Sequence, residues 1–122
     1  MSEILYHAEI LGRPIVKKNT KRIFGSGRFK KIVYSEKYRS WEIDAIKDLP
    51  QIREKINFPF LLEINFYFKN HQGEADLSNL IEGPQDLLKK ALIIEDDKLV
   101  HKIIACKFFG KDYKTEIFLK RL

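Results

Sequence analysis

The sequence predicts an α+β fold of two layers: a small mixed β-sheet with two helices on one face, in the order β-(basic loop)-α-β-α-β-β. Two kinds of periodicity predict it. From Phe60 to Lys69 the chain alternates strictly, with Phe60, Leu62, Ile64, Phe66 and Phe68 on one side and Leu61, Glu63, Asn65, Tyr67 and Lys69 on the other. A period of two this regular belongs to a strand, and to a sheet covered on one side. Two other segments place apolar residues three and four apart, the helical spacing: Tyr38, Trp41, Ala45 and Leu49, then Leu77, Leu80, Ile81, Leu87, Leu88, Ala91 and Leu92.

Each element follows from local chemistry. Leu5–Ile10 is a short first strand, which Gly12 and Pro14 interrupt. Residues 17–31 carry little periodicity around Gly25-Ser26-Gly27, and Ile32-Val33-Tyr34 reads as a return strand, so a β-hairpin arm is expected. Ser35 suits an N-cap, with Glu36 favourable in the first turn of the first helix and Trp41 as its core anchor. Pro50 ends that helix, because it lacks an N–H and disfavours the α conformation at Leu49. Ile52–Ile56 reads as one further helical turn. The second helix contains Gly83-Pro84. Either it kinks there, or a short turn precedes a helix that begins near Pro84, where proline is tolerated. Leu99–Phe109, a turn over 110–113, and Lys114–Leu119 read as a C-terminal β-hairpin.

At 122 residues the chain is long enough for a core, and one domain over 1–122 is expected. The single cysteine, Cys106, excludes an intrachain disulfide and reads as a small core residue in a reducing compartment. The first ten residues lack a signal peptide's apolar centre, and no run reaches the roughly 20 apolar residues of a membrane helix. A soluble, intracellular protein is expected.

Charge is distributed unevenly. The net charge is +6, and Leu11–Ser35 contains no acidic residue but holds Arg13, Lys17, Lys18, Lys21, Arg22, Arg28, Lys30 and Lys31. Such a segment, with Asn19, Thr20 and Ser26 as further donors, suits a polyanion. The carboxylates gather in EADLSNLIEGPQDLLKKALIIEDDKLV, residues 74–100. A helix of two or three turns and a turn back would bring Asp76, Glu82, Asp96 and Asp97 to one place. Carboxylates so clustered repel one another, which a bound cation relieves. The alternative is structural, with Asp76 capping a helix and Asp96-Asp97 starting a turn. His71 has no partner at metal-ligand spacing and reads as a loop residue. No serine, histidine or cysteine grouping suggests a covalent nucleophile.

Asp76-Leu77-Ser78-Asn79-Leu80 and Ile94-Glu95-Asp96-Asp97-Lys98-Leu99-Val100 together resemble the RusA family of Holliday junction resolvases, phage and prophage members included. Asp76 and Asn79 match the family's Asp that opens a helix, and Asp96-Asp97 match its hydrophobic-Asp-Asp turn. Lys17-Lys18-Asn19 and Arg22 are similar to the basic loop after its first strand. The resemblance implies a Mg²⁺-dependent endonuclease, a homodimer that cuts branched DNA in a bacterial cytoplasm, with a phage or prophage gene as one source. It implies Asp76 and Asp97 as catalytic residues and, with Asp96, as metal ligands; Glu82 joins both sets as the nearby carboxylate, and the acid-free basic segment supplies Lys17, Lys18, Asn19, Lys21, Arg22, Arg28, Lys30 and Lys31 as nucleic-acid contacts. Two positions depart from the family. Ser78 replaces its second Asp, and Glu82 stands where it commonly has a lysine. Either Glu82 supplies the carboxylate that Ser78 lacks, or the site is weakened and the protein binds branched DNA without cutting it. The lysine role passes to Lys89, Lys90 or Lys98 only by proximity in sequence.

Overall fold

The computed structural model describes residues 3–17, 21–24, 31–34, 36–71 and 74–122, and for 21–24 and 31–34 the backbone alone. The elements run β1 (Ile4–Leu11), β2 (Lys21–Phe24), β3 (Lys31–Tyr34), α1 (Glu36–Asp48), β4 (Phe60–Phe68), α2 (Leu77–Leu80), α3 (Glu82–Lys90), a 3-10 turn (Asp97–Leu99), β5 (Val100–Phe109) and β6 (Lys114–Arg121). The architecture is α+β, with a four-stranded mixed sheet in the order β1-β6-β4-β5. The expected arm is a separate antiparallel hairpin of β2 and β3. Ser35 lies outside the described residues.

β4 takes a central place because of its composition. Phe60, Leu62, Ile64, Phe66 and Phe68 are all buried, and Leu61 on the other face is nearly so. Each such side chain contributes about 1.5–3 kcal/mol when it leaves water. β4 therefore has a hydrogen-bonded neighbour on both edges, antiparallel β6 and parallel β5. This overturns the expected C-terminal hairpin: β5 and β6 are consecutive but do not pair, because β4 lies between them. The link crosses the end of β4, where Gly110 N donates to the Phe68 carbonyl at 2.9 Å. A parallel β4–β5 pair needs a crossover, and α2 with α3 supply it.

The helices cover one face of the sheet. Tyr38, Trp41 and Ala45 of α1 and Leu87 and Leu88 of α3 join Tyr6, Ala8 and Ile10 of β1 and Ile117 and Leu119 of β6 in one core. Ile52–Ile56 is not helical. Residues 53–54 bend, and Ile56 makes a parallel bridge to Ile94. The second helix divides at Ile81, and α3 starts at Glu82, so Pro84 falls in a first turn that needs no N–H from it. After β1 the chain turns at Gly12 with φ 105°, a left-handed conformation natural to glycine, and its N–H reaches the Tyr113 carbonyl at 3.1 Å. Cys106 is half-buried rather than in the core, because it lies on β5, an edge strand whose face away from the helices is uncovered. Among the described residues no helix is long and apolar enough to cross a membrane.

Candidate metal centre and nucleic-acid interface

Asp76 is the N-cap of α2, in extended conformation (φ −64°, ψ 137°). Its carbonyl accepts from Asn79 N at 3.0 Å and Leu80 N at 3.2 Å, which starts the helix. Its exposed carboxylate makes no capping bond, so the helix does not consume it. Glu82 opens α3 and is half-buried. Ser78 is exposed within α2.

Asp96 and Asp97 are placed from the other end of the crossover. α3 closes at Ala91, and Leu92 takes a left-handed conformation with φ 62°. Ile93 N then donates to the Leu88 carbonyl at 2.9 Å and Leu92 N to the Lys89 carbonyl at 3.1 Å, a Schellman closure. This turns Ile93 and Ile94 into the core. Ile56 N donates to the Ile93 carbonyl and Glu95 N to the Ile56 carbonyl, each at 2.9 Å, so the backbone is pinned one residue before Asp96. Asp96 caps the 3-10 turn by accepting from Lys98 N at 3.1 Å, and Lys89 Nζ stands 3.8 Å from its carboxylate. The Lys98 N–H, then a hydrogen bond shared with Asp97, and the charges of Lys89 and Lys98 hold the Asp96 carboxyl below the usual range. Asp97 is exposed beside it.

The two acidic groups therefore do not meet within one chain. Among the described residues no three Asp, Glu, His or Cys side chains form a group that could hold a metal ion. Topology is the reason. Ala75, next to Asp76, is fixed beside Lys107, whereas Asp96-Asp97 precede Val100 at the start of β5. At ~3.3 Å per residue, those points on β5 are on the order of 20 Å apart.

The donor chemistry fits a hard divalent cation. All four candidate ligands are carboxylates, and Mg²⁺ commonly takes one or two carboxylates, keeping its remaining positions for water and phosphate oxygens. Asp76 and Asp97 have exposed carboxylates for such a role.

The basic segment divides differently from its sequence. Lys17 is 7% exposed, is ion-paired with Asp86 of α3, and lies 5.9 Å from the centre of the Tyr38 ring. Its position is structural, as a tie between the start of the arm and α3. Lys21 and Arg22 stand on β2 and Lys31 on β3; Lys18, Asn19, Arg28 and Lys30 lie outside the described residues.

The structure places the three lysines that lie near in sequence and adds a fourth. Lys90 bonds Glu42 of α1 at 2.9 Å, Lys89 faces Asp96, and Lys98 belongs to the 3-10 turn. The lysine next to the Asp76 turn is Lys107, which donates to the Ala75 carbonyl at 3.0 Å and pairs with Glu74 at 2.8 Å. Its proximity depends on β5 lying under α2, and no spacing in the sequence reports that.

A search of curated proteins finds no match to the chain. The model of the endodeoxyribonuclease RusA family, in contrast, matches residues 12–120 of the 122, a range that takes in the basic segment and both carboxylate groups. The chain belongs to the RusA family, the endodeoxyribonucleases that act on Holliday junctions.

Proposed function

We propose that this protein is a Mg²⁺-dependent, structure-selective endonuclease. It resolves four-way and other branched DNA in recombination and repair, as a homodimer in the bacterial cytoplasm. The observation that carries the reading is Asp76: it starts a helix without committing its carboxylate to the cap. Asp76, Asp97, Asp96 and Glu82 are the residues that would hold the ion. When bound, Mg²⁺ supplies Lewis acidity toward the phosphoryl group and a more acidic water. The chain's own residues orient and steer. The Lys98 N–H and Lys89 aim Asp96, and the acid-free segment from Leu11 to Ser35 attracts phosphates.

The homodimer is supported by β5. Among the described residues this ten-residue edge strand pairs only with β4, and Ile103, Ile104, Phe108 and Phe109 along it are 38–44% exposed. An open apolar edge of this length invites pairing with another strand. The opposite edge strand, β1, has its inward-facing Tyr6, Ala8 and Ile10 packed in the core with α1. An antiparallel seam between two β5 strands would bring the Asp76 end of each chain toward the Asp96-Asp97 end of its partner. Two equivalent sites would result, one for each DNA strand cut.

Purified protein incubated with a synthetic four-way junction, with and without Mg²⁺, tests the function. Paired, metal-dependent nicks are expected. Asp76→Asn and Asp97→Asn should each lower the rate roughly 100-fold or more, as loss of several kcal/mol of transition-state stabilisation requires, while junction binding persists. Full activity in either variant removes that residue from the site. Tight binding with no cuts in Mg²⁺ or Mn²⁺ would instead identify a junction-binding protein.

A further inference from the structure

Lys107 extends from the helix-covered face of β5 to the segment that leads into α2. One ammonium makes two contacts there, at 3.0 Å to the Ala75 carbonyl and at 2.8 Å to the Glu74 carboxylate. Glu74 also meets His71 Nδ1 at 2.8 Å, and the His71 ring lies against Phe109 with centroids 4.1 Å apart. Lys107 and Phe109 are two apart on the strand and so share a face. Between them they hold His71, Glu74 and Ala75, and the next residue is Asp76.

We propose that Lys107 is a positioning residue for Asp76, clamping the backbone that aims this carboxylate. The inference rests on the reading of Asp76 as a metal ligand.

Three features support the clamp. α2 is only four residues long, too short to sustain itself. The Asp76 carboxylate makes no bond to its own helix, so the backbone on either side sets its direction. The clamp also requires a lysine's chemistry, because a carbonyl and a carboxylate are both acceptors, and an ammonium brings three donors to them at once. The Lys107 and Glu74 side chains are 25% and 28% exposed, so the pair is partly shielded from water. A cation next to the site therefore comes from a distant strand, although Glu82 occupies the position where the family commonly has a lysine.

The test uses Lys107→Met, which keeps most of the stem and loses the charge, and Lys107→Arg, which retains donors for both acceptors. Amide hydrogen exchange reads the clamp directly through Asn79 and Leu80, whose N–H groups bond the Asp76 carbonyl. In Lys107→Met, exchange at these two amides should rise roughly tenfold while Ala8 and Ile117 of the β1–β6 ladder keep their parental rates. Single-turnover junction cleavage should fall roughly tenfold, and the Mg²⁺ concentration for half-maximal rate should rise, as expected for a misplaced ligand. Junction affinity should stay within about twofold, because no phosphate contact is lost. Lys107→Arg should restore both exchange and cleavage.

Parental exchange and cleavage in Lys107→Met would overturn the inference. So would a loss of cleavage accompanied by faster exchange throughout the sheet, since Lys107 would then be supporting the whole fold. A dead Asp76→Asn beside a fully active Lys107→Met rejects the clamp alone. An Asp76→Asn protein that cuts like the parent rejects the site reading and the clamp with it.

Discussion

The ammonium of Lys17 pairs with the carboxylate of Asp86, sixty-nine residues away on α3, with only 9% of the lysine side chain exposed. This residue opens the basic segment, yet its charge is spent inside the protein. The arm's base is thereby tied to the helix that also carries Glu82.

Lys17→Met should therefore act on stability rather than on DNA. Removing one partner of a shielded pair leaves the other without its counter-charge, and a loss of about 1–3 kcal/mol is expected in urea unfolding followed through Trp41 fluorescence. The slope of junction affinity against salt should be unchanged. A flatter slope with unchanged stability would return Lys17 to the phosphate contacts.

Leu92 offers a stabilising change. It is 62% exposed and holds φ 62°, where a side chain crowds the backbone, so Leu92→Gly removes strain and loses little packing. Glycine's larger unfolded-state entropy offsets part of the gain. A net rise of about 0.5–1 kcal/mol in unfolding free energy is expected. A fall would show that the Leu92 side chain contributes contacts that outweigh the strain.

The pair Glu9–Lys114, at 2.7 Å across β1 and β6, sets an acid dependence. The Lys114 hydrogen bond and charge hold the Glu9 carboxyl below its ordinary value of 4.5, and the same bond holds the Lys114 ammonium above its ordinary 10.5. Glu9 binds its proton less readily in the folded state. Its contribution is thus present above pH 4.5 and is lost as pH falls through the lowered folded value. The Lys114 contribution is present below 10.5 and is lost as pH rises through the raised folded value. Urea midpoints of Lys114→Met should show a shallower acid decline than the parent. Identical acid limbs would exclude this pair as a source.

The proposed β5 seam is open to a distance measurement, because Cys106 is the single cysteine and lies on that strand. In an antiparallel β5–β5 dimer, spin labels on the two Cys106 residues should lie within roughly 20 Å, given ~4.8 Å between strands and ~3.4 Å per residue. Phe108→Lys should abolish the dimer. A stable dimer with a much longer distance would place the interface on another face.

How far the sequence could be read depends on how local each interaction is. The alternation of β4 and the stripe of α1 were legible, because a strand or helix stamps its period on whichever side chains must leave water. The acidic turn within 94–100 was legible because its carboxylates are consecutive in the chain. Gly83-Pro84 left two helix geometries open, and packing chose between them: Gly83 lies against Tyr38 and Trp41, with an added Cβ 3.6 Å from Tyr38 Cε1. The C-terminal hairpin was misread because short loops usually join paired strands, whereas β4 is apolar enough to take both central edges.

By itself, the sequence determined the main strands and the stripe of α1, the acid-free basic segment and the identity of the carboxylates, since each is a property of neighbouring residues. Only the tertiary structure decided which of these groups meet. Lys17 became a buried tie to Asp86, Asp76 and Asp96-Asp97 were set at opposite ends of a parallel crossover, and Lys107 came to lie under the turn before Asp76. Those outcomes depend on the order and direction of β-strands. That order is fixed by burying the apolar face of β4 between neighbours far away in the chain, and a local period carries no record of it.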